Sequence, residues 1–309
     1  MKVVGLLSGG KDSVYALVQA AALGHEVVAV ANLRPVEDSV QELDSHMIQT
    51  VGHNAVVGIA QCLNLPLFVR RTAGKAVSGS LHYTASAGDE TEDLAMLLEA
   101  VKLKFSDLGG VVSGAIRSNY QRLRVEAVCQ RLKLQSHAWL WERREERLLH
   151  DMCRDGIRAI LLKISTIGLK RQHVGCFLHD TVAHLQDLNE KYEVNVCGEG
   201  GEFETLTLDA PLFSSSLRVT KEVLHCQQDD PISPVYNLEV VAWEAAPKEL
   251  TAWEKDLQQH LSGPGFELFE ATGESGTPDQ AGTLAAAHGQ GSGGGTTARA
   301  NVHIVKEGT

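Results

Sequence analysis

No two of the six cysteines (Cys62, Cys129, Cys153, Cys176, Cys197 and Cys226) stand within twenty residues of each other. A C-x-x-C pair is therefore absent, and with it the usual zinc, sulfur-transfer and iron–sulfur chemistry. Most of the thiols read as small buried hydrophobes in a reducing compartment. No apolar run reaches the ~18–20 residues of a membrane span, so no membrane partner is expected. The N-terminus does not read as a signal peptide, because the polar stretch Ser8 to Ser13 interrupts any apolar core. A cytoplasmic enzyme is the expectation. Basic residues are outnumbered, 28 against 39 acidic, for a net charge of −11. That argues against an extended phosphate-binding surface, and no nucleic acid is expected as partner. The Walker A spacing G-x-x-x-x-G-K-[ST] is missing too, and no internal repeat appears. The remainder is ordinary for a globular chain: 43% hydrophobic and 22% charged over 309 residues, room for one large domain or two smaller ones. Composition leaves the oligomeric state open.

What is present begins with Ser8-Gly9-Gly10-Lys11-Asp12-Ser13. The apolar Lys2 to Leu7 before it reads as a buried strand. After it, Val14, Leu17, Val18 and Ala21 recur at helical spacing until Gly24 stops the helix. The hexapeptide is thus a strand-to-helix turn. Two glycines let the backbone bend and aim N–H groups at a ligand. Those groups, the hydroxyls of Ser8 and Ser13 and the positive helix end make a seat for an anion. Lys11 adds a cation. Asp12 repels phosphate, and makes sense if it holds Mg²⁺ against the phosphates. An ordinary Gly-Gly turn into a helix is the bland alternative.

Beyond it the chain alternates strand and helix. Glu26 to Leu33 completes a βαβ unit, whose crossover should be right-handed. In a doubly wound sheet ligands sit beyond the carboxyl ends of the strands, which places Asn32 and Leu33 near a bound ligand; a plain loop is the alternative. A helix is expected over 49–63 and a strand over 67–71. The long Gly/Ser-rich connection 72–88 suits a functional loop. Gly88 to Asp93 opens an amphipathic helix carrying Leu94, Leu97, Leu98 and Val101. Its acids complement the helix dipole, or else Glu90 or Asp89 serves a ligand. Gly110 to Ile116 is a further strand. Ser118 and Gln121 form a capping box, which brings Tyr120, Gln121, Arg122 and Arg124 to the same edge as the first turn. Surface arginines in salt bridges are the alternative there. Strands at 136–140, 158–165 and 194–196 and helices at 143–155 and 182–192 follow.

Cys197-Gly198-Glu199-Gly200-Gly201-Glu202-Phe203-Glu204-Thr205 holds three glycines and three glutamates. Such a stretch suits neither helix nor strand interior. It rejects phosphate and suits a cation or hydrogen-bond donor: trimethylammonium, ammonium or Mg²⁺. A structural tight turn is the alternative.

The first hexapeptide resembles the PP-loop of ATP pyrophosphatases. With Ala31 to Pro35, Tyr83-Thr84, Gly88 to Leu94, Tyr120-Gln121-Arg122, Cys197 to Glu204 and Thr205 to Phe213 in this order, the stretch 1–243 resembles the diphthine–ammonia ligases. The resemblance implies an α/β protein, a Rossmann-like (HUP-type) parallel sheet with a PP-loop plus a smaller α/β substrate-binding part. It implies ATP and Mg²⁺, with Ser8 to Ser13, Asn32 and Leu33 on the nucleotide and Asp12 on the metal. The reaction implied is amidation by ammonium of diphthine on translation elongation factor 2, through an acyl-adenylate, with AMP and pyrophosphate as products. Lys11, Asp12, Glu199 and Glu202 would be catalytic. Tyr83, Glu90, Tyr120, Gln121, Arg122, Gly198, Glu199, Gly200, Gly201, Glu202, Phe203 and Glu204 would meet the substrate. Two positions depart from the expected pattern. Asn119 stands where an acid is expected, and His46 where a tyrosine would be less surprising.

The division expected is 1–118 for ATP, 119–245 for diphthine and catalysis, a helix over 246–261, and a flexible glycine-rich tail over 262–309. Pro247 should open that helix, with Leu250, Trp253, Leu257 and Leu261 on one side. Ala300 to Lys306 reads as a lone strand. Two other readings remain: a PP-loop enzyme acting on tRNA, and a nucleotide-binding module without catalysis.

Overall fold

The structure is a computed structural model. It describes residues 1–37, 45, 47, 51–73, 76–77, 80, 83–273 and 301–304. His46 and most of the expected glycine-rich tail lie outside the described residues.

Strand β1 (Lys2–Leu6) leads into helix α1 (Lys11–Ala22), and β2 (Glu26–Pro35) returns beside it. Then come α2 (Val56–Leu63), β3 (Leu67–Thr72), α3 (Glu90–Lys104), β4 (Gly110–Val112), α4 (Asn119–Leu132) and β5 (Gln135–His137). These strands are parallel, in the order β3-β2-β1-β4-β5. Leu6 of β1 lies opposite Ala31, and Gly5 opposite Val112 on the other side. The sheet therefore switches direction at β1/β4, and the crevice at such a switch point is where α/β sheets take ligands. The apolar runs of β1 and β2 follow from cover on both faces. Val3, Val27 and Val30 pack with α1 and α2, while Val4, Val28 and Ala31 pack with α3 and α4.

The second half holds α5 (Glu145–Arg154), β6 (Arg158–Ser165), α6 (Leu178–Tyr192), β7 (Phe203–Asp209), β8 (Ser215–Gln228) and β9 (Val235–Pro247). Its sheet is antiparallel, ordered β7-β6-β9-β8. Its apolar face, with Leu161, Ile164 and Leu206, joins the same core as α1 and α2. The Rossmann-like first part is as the sequence led us to expect, and the smaller second part is built on an antiparallel sheet.

Several boundaries move. Residues 194–196 do not form a strand: Asn195 and Val196 carry a turn held by Asn195 Oδ1, which accepts from the Cys197 and Glu199 amides at 2.8 and 3.4 Å. The first sheet takes β5 and packs α4 against it, both beyond the expected limit at 118. The late helix, α7 (Ala252–Gln258), starts not at Pro247 but at Thr251, whose capping box with Glu254 satisfies the free amides. On it Leu257 is buried, but Trp253 is 46% exposed, so the expected stripe is only partly docked.

The tail is also corrected. Leu268–Thr272 forms β10, parallel to β3, and Asn301–Ile304 forms β11, antiparallel to β10. Phe269 stacks on Phe68 with ring centroids 4.7 Å apart. Buried Arg70 donates to the carbonyls of Ala271 and Gly273 at 3.3 and 3.1 Å. A short apolar segment beside a composition dominated by glycine was hidden by its neighbours.

Candidate active site

The turn 8–10 works as a strand-to-helix elbow because Gly9 takes φ +94°, a region that disfavours side chains. Ser13 Oγ braces it, donating to the Gly10 carbonyl at 2.9 Å and accepting from the Ser8 amide at 3.3 Å. Across the crevice, Gly114 follows β4. A Cβ there would lie 2.7 Å from the Asp12 carbonyl carbon, so only glycine lets the two strand exits approach this closely. The acidic turn arrives from the second sheet rather than the parallel one, and it docks on the elbow. The Thr207 amide donates to Gly9 O at 2.9 Å, and the Lys11 amide to Thr205 Oγ1 at 3.0 Å. The Lys11 ammonium donates to Cys197 O at 2.5 Å and to Asp12 Oδ2 at 2.8 Å.

Together these turns enclose a cavity of about 330 Å³. Its lining combines polar residues, among them Ser8, Lys11, Asp12, Ser13, Glu199 and Glu204, with apolar ones, among them Leu33, Met47, Leu94, Leu97 and Val125. Charged and apolar groups in one cavity of this size suit a nucleotide.

A family model for the N-terminal domain of diphthamide synthase matches residues 1–136, and one for its C-terminal domain matches residues 144–232. The chain is 48% identical over 238 residues to the diphthine–ammonia ligase of Bos taurus, covering 76% of this chain and 89% of that one. Against the Homo sapiens ligase it is 46% identical over 238 residues, with the same coverage. The Schizosaccharomyces pombe ligase is 48% identical over 225 residues, 72% of this chain but only 37% of that much longer one. This chain belongs to the diphthine–ammonia ligase family. The class read from the sequence, an ATP-dependent carbon–nitrogen ligase, stands on that membership.

In this ligase fold Lys11 is 3% exposed. Burial pulls its pKa down, but the charges of Asp12 and Glu199 outweigh that, and the net shift is upward. Burial pushes the Asp12 carboxyl up against the pull of Lys11. Asp12 Oδ1 is buried and has no hydrogen-bond partner among the described residues. An orphaned carboxylate oxygen on a residue of the cavity lining suits a cation that phosphates also hold, since Mg²⁺ binds through one or two carboxylates plus substrate oxygens. Among the described residues no three acids, histidines or cysteines gather into a self-sufficient metal site.

Burial and the nearby Asp12 charge raise the Glu199 carboxyl to about 7, although Lys11 and the Arg117 amide, 2.9 Å from Oε2, pull the other way. Burial raises the Cys197 thiol to about 12, so it is no nucleophile at neutral pH.

Of the residues expected at the site, Ser8, Lys11, Asp12, Ser13, Asn32, Leu33, Gln121, Gly198, Glu199, Gly201, Phe203 and Glu204 line the cavity. Asn32 turns its amide to Leu7 O at 2.8 Å and so ties β2 to β1. Gly9, Gly10 and Gly200 shape the turns from behind. Glu202, expected to be catalytic, is not in the lining. Its Oε1 accepts from the Asn195 amide at 3.1 Å and its Oε2 from the Gly200 amide at 2.8 Å, closing the turn that carries Glu199. Tyr83, Glu90, Tyr120 and Arg122 also stand outside the lining. Glu90 accepts from Ser45 Oγ at 2.5 Å, and Tyr83 donates to Glu92 at 2.6 Å. Arg122 pairs with Glu126 at 2.7 Å and lies 4.5 Å over the Trp141 ring. Asn119 accepts from Arg122 at 3.3 Å and makes no contact with the cavity.

Sequence reasoning did not single out Thr205, Ser113 or Gly114. Ser113 Oγ is buried at the cavity wall without a partner among the described residues. The signal available was position: the exit of β4 shares an edge with the exit of β1.

Proposed function

We propose that this ligase joins ammonia to the carboxylate of diphthine on translation elongation factor 2, using ATP and releasing AMP and pyrophosphate. One observation carries the reading: the PP-loop and the acidic turn are in direct hydrogen-bond contact and wall a single cavity. A carboxylate held by one can meet a nucleotide held by the other.

The turn at 8–10 and the Lys11 ammonium take the β,γ-phosphates, where a fixed cation neutralises the leaving pyrophosphate. The apolar lining residues Leu33, Met47, Leu94 and Leu97 take the adenine. Asp12 Oδ1 would hold Mg²⁺, which supplies further charge neutralisation on the same oxygens. A diphthine carboxylate oxygen attacks the α-phosphorus, and the bond to the bridging oxygen breaks. Glu199 and Glu204 balance the trimethylammonium of diphthine and leave phosphate no competing seat beside them. Ammonia then attacks the activated carbonyl carbon, AMP leaves with the carbon–oxygen electron pair, and Glu199 is placed to take the surplus proton from nitrogen. Glu202 acts by holding the turn. Ammonium is the nitrogen source in this scheme and the cytoplasm its setting. Among the described residues no helix is long and apolar enough to cross a membrane.

The test is incubation with ATP, Mg²⁺, ¹⁵N-ammonium and diphthine-bearing elongation factor. Amide bearing ¹⁵N should form with AMP in equal amount. AMP formed only with tRNA, or no AMP at all, would replace the reading by one of its two alternatives.

A further inference from the structure

Arg124 is 0% exposed, the largest fully buried side chain among the described residues. Its guanidinium lies over the Tyr120 ring at 4.2 Å and over the Tyr83 ring at 4.8 Å. Its Nη1 donates to Ser80 O at 2.8 Å. This corrects the surface-arginine alternative and also removes Arg124 from direct contact with the cavity.

The two tyrosines continue outward to the acidic start of α3. Tyr120 Oη donates to Glu90 at 3.4 Å, and Tyr83 Oη to Glu92 at 2.6 Å. Arg131 grips Glu92 with both terminal nitrogens, at 2.7 and 2.9 Å. Glu90 also holds Ser45 Oγ, and Ser45 lines the cavity. Gln121, which follows Tyr120 on α4, lines it too. One buried cation therefore joins three segments distant in sequence to two residues of the cavity wall.

A guanidinium buried on two aromatic faces is costly to place, and its planar fork does what an ammonium cannot. It lies over two rings and still donates a hydrogen bond to Ser80 O. We propose that Arg124 is a positioning residue for nucleotide binding: through Tyr120 and Tyr83 it fixes the first turn of α4 and the start of α3, and so sets Gln121 and Ser45 at the cavity wall. The proposal rests on the ligase reading only in taking ATP as the ligand. It also implies that the tyrosine faces are occupied, so the cation of diphthine meets carboxylates rather than an aromatic cage.

The experiment compares Arg124→Lys and Arg124→Met in the full chain, with ATP affinity by calorimetry and KM and kcat on modified elongation factor. Small misplacements of wall residues cost on the order of 10- to 100-fold. We expect ATP Kd and KM to rise about tenfold in both variants, with kcat at saturating ATP changed less than about threefold. Lysine should not rescue, whereas guanidinium ion added to Arg124→Ala should restore part of the affinity. A folded Arg124→Lys with the wild-type ATP Kd overturns the proposal. So does a fall in kcat at unchanged KM, the signature of fewer folded molecules. Should Arg124→Met not fold, Arg124→Lys decides. A wild-type chain that binds ATP but forms no amide removes the ligase reading, while the Arg124 effect on ATP Kd is judged independently.

Discussion

The Lys11 ammonium lies 2.5 Å from the carbonyl oxygen of Cys197. These residues are 186 positions apart in the chain. The contact ties the lysine that we propose faces polyphosphate to the turn that we propose faces a cation, and it fixes the distance between them. It also keeps a buried ammonium solvated by protein while the phosphate seat is formed.

Lys11→Met should keep the fold, because the stem is replaced by one of similar bulk, yet lower kcat/KM for ATP by about 10³-fold. Isotope exchange between pyrophosphate and ATP, with diphthine present, reads this directly. Circular dichroism of the same sample checks folding.

Asp12→Asn keeps the size of the side chain and removes its charge. Its Oδ1, buried without a hydrogen-bond partner among the described residues, is the atom we propose for Mg²⁺. We expect turnover to fall by about 10²-fold or more, and ATP affinity to lose its dependence on Mg²⁺. Calorimetric titrations with and without the metal measure this. An unchanged Mg²⁺ dependence would remove the metal from Asp12.

Glu199 sets a pH dependence. Its carboxyl is raised from 4.5 to about 7, by burial first and then by Asp12. In the proposed reaction the ionised form is the one that meets the trimethylammonium and accepts a proton. So kcat/KM for modified elongation factor should rise between pH 6 and 8, with an inflection near 7, and Glu199→Gln should be low and flat. Stability runs the opposite way. Between 4.5 and about 7 the folded state keeps a proton that the unfolded chain has lost, so stability falls as pH rises through that window. Partial exposure screens the term to about 2 kcal/mol. Urea midpoints of Glu199→Gln should lack this slope and exceed wild type at pH 8.

Gly114→Ala places a methyl 2.7 Å from the Asp12 backbone. The two strand exits must part, at a cost of about 1–3 kcal/mol. Turnover should drop about 10²-fold through displacement of Asp12 and Lys11. Wild-type kinetics in this variant would show that the crevice has slack.

Phe269→Ala tests the late strand. Phe269 is 2% exposed and stacked on Phe68. Its loss should cost about 3–4 kcal/mol in urea denaturation, with KM for ATP unchanged because neither ring lines the cavity. A cost under about 1 kcal/mol would show that β10 is only loosely docked.

Much was legible in the sequence. Lys2 to Leu7 and Glu26 to Leu33 read as apolar buried strands, and strands stand there, over Lys2–Leu6 and Glu26–Pro35. Gly24 at positive φ, the Ser118 cap of α4 and the acids at the start of α3 mark their elements by local chemistry. Where local chemistry was shared between outcomes, reading failed. Val194 to Val196 is as β-branched as a strand, but Asn195 bonds its own neighbours and makes a turn. Leu268 to Thr272 is an ordinary short apolar segment, and pairing with β3 makes it a strand.

The chain alone decided which functional groups exist and how each short stretch bends: two glycine turns, one carrying Lys11 and Asp12, the other Glu199, Glu202 and Glu204. Those properties depend on neighbours within a few residues. Folding decided which groups share a cavity. It brought Thr205 to the Lys11 amide, set Glu199 within reach of the Asp12 charge, and spent Glu202 on its own turn and Arg124 on two tyrosine faces. The contacts of Thr205, Glu199 and Tyr83 join segments apart in the chain and are fixed by tertiary packing, whereas Glu202 and Tyr120 engage neighbours in their own turn and helix, a choice among local partners that the pattern of residues did not decide.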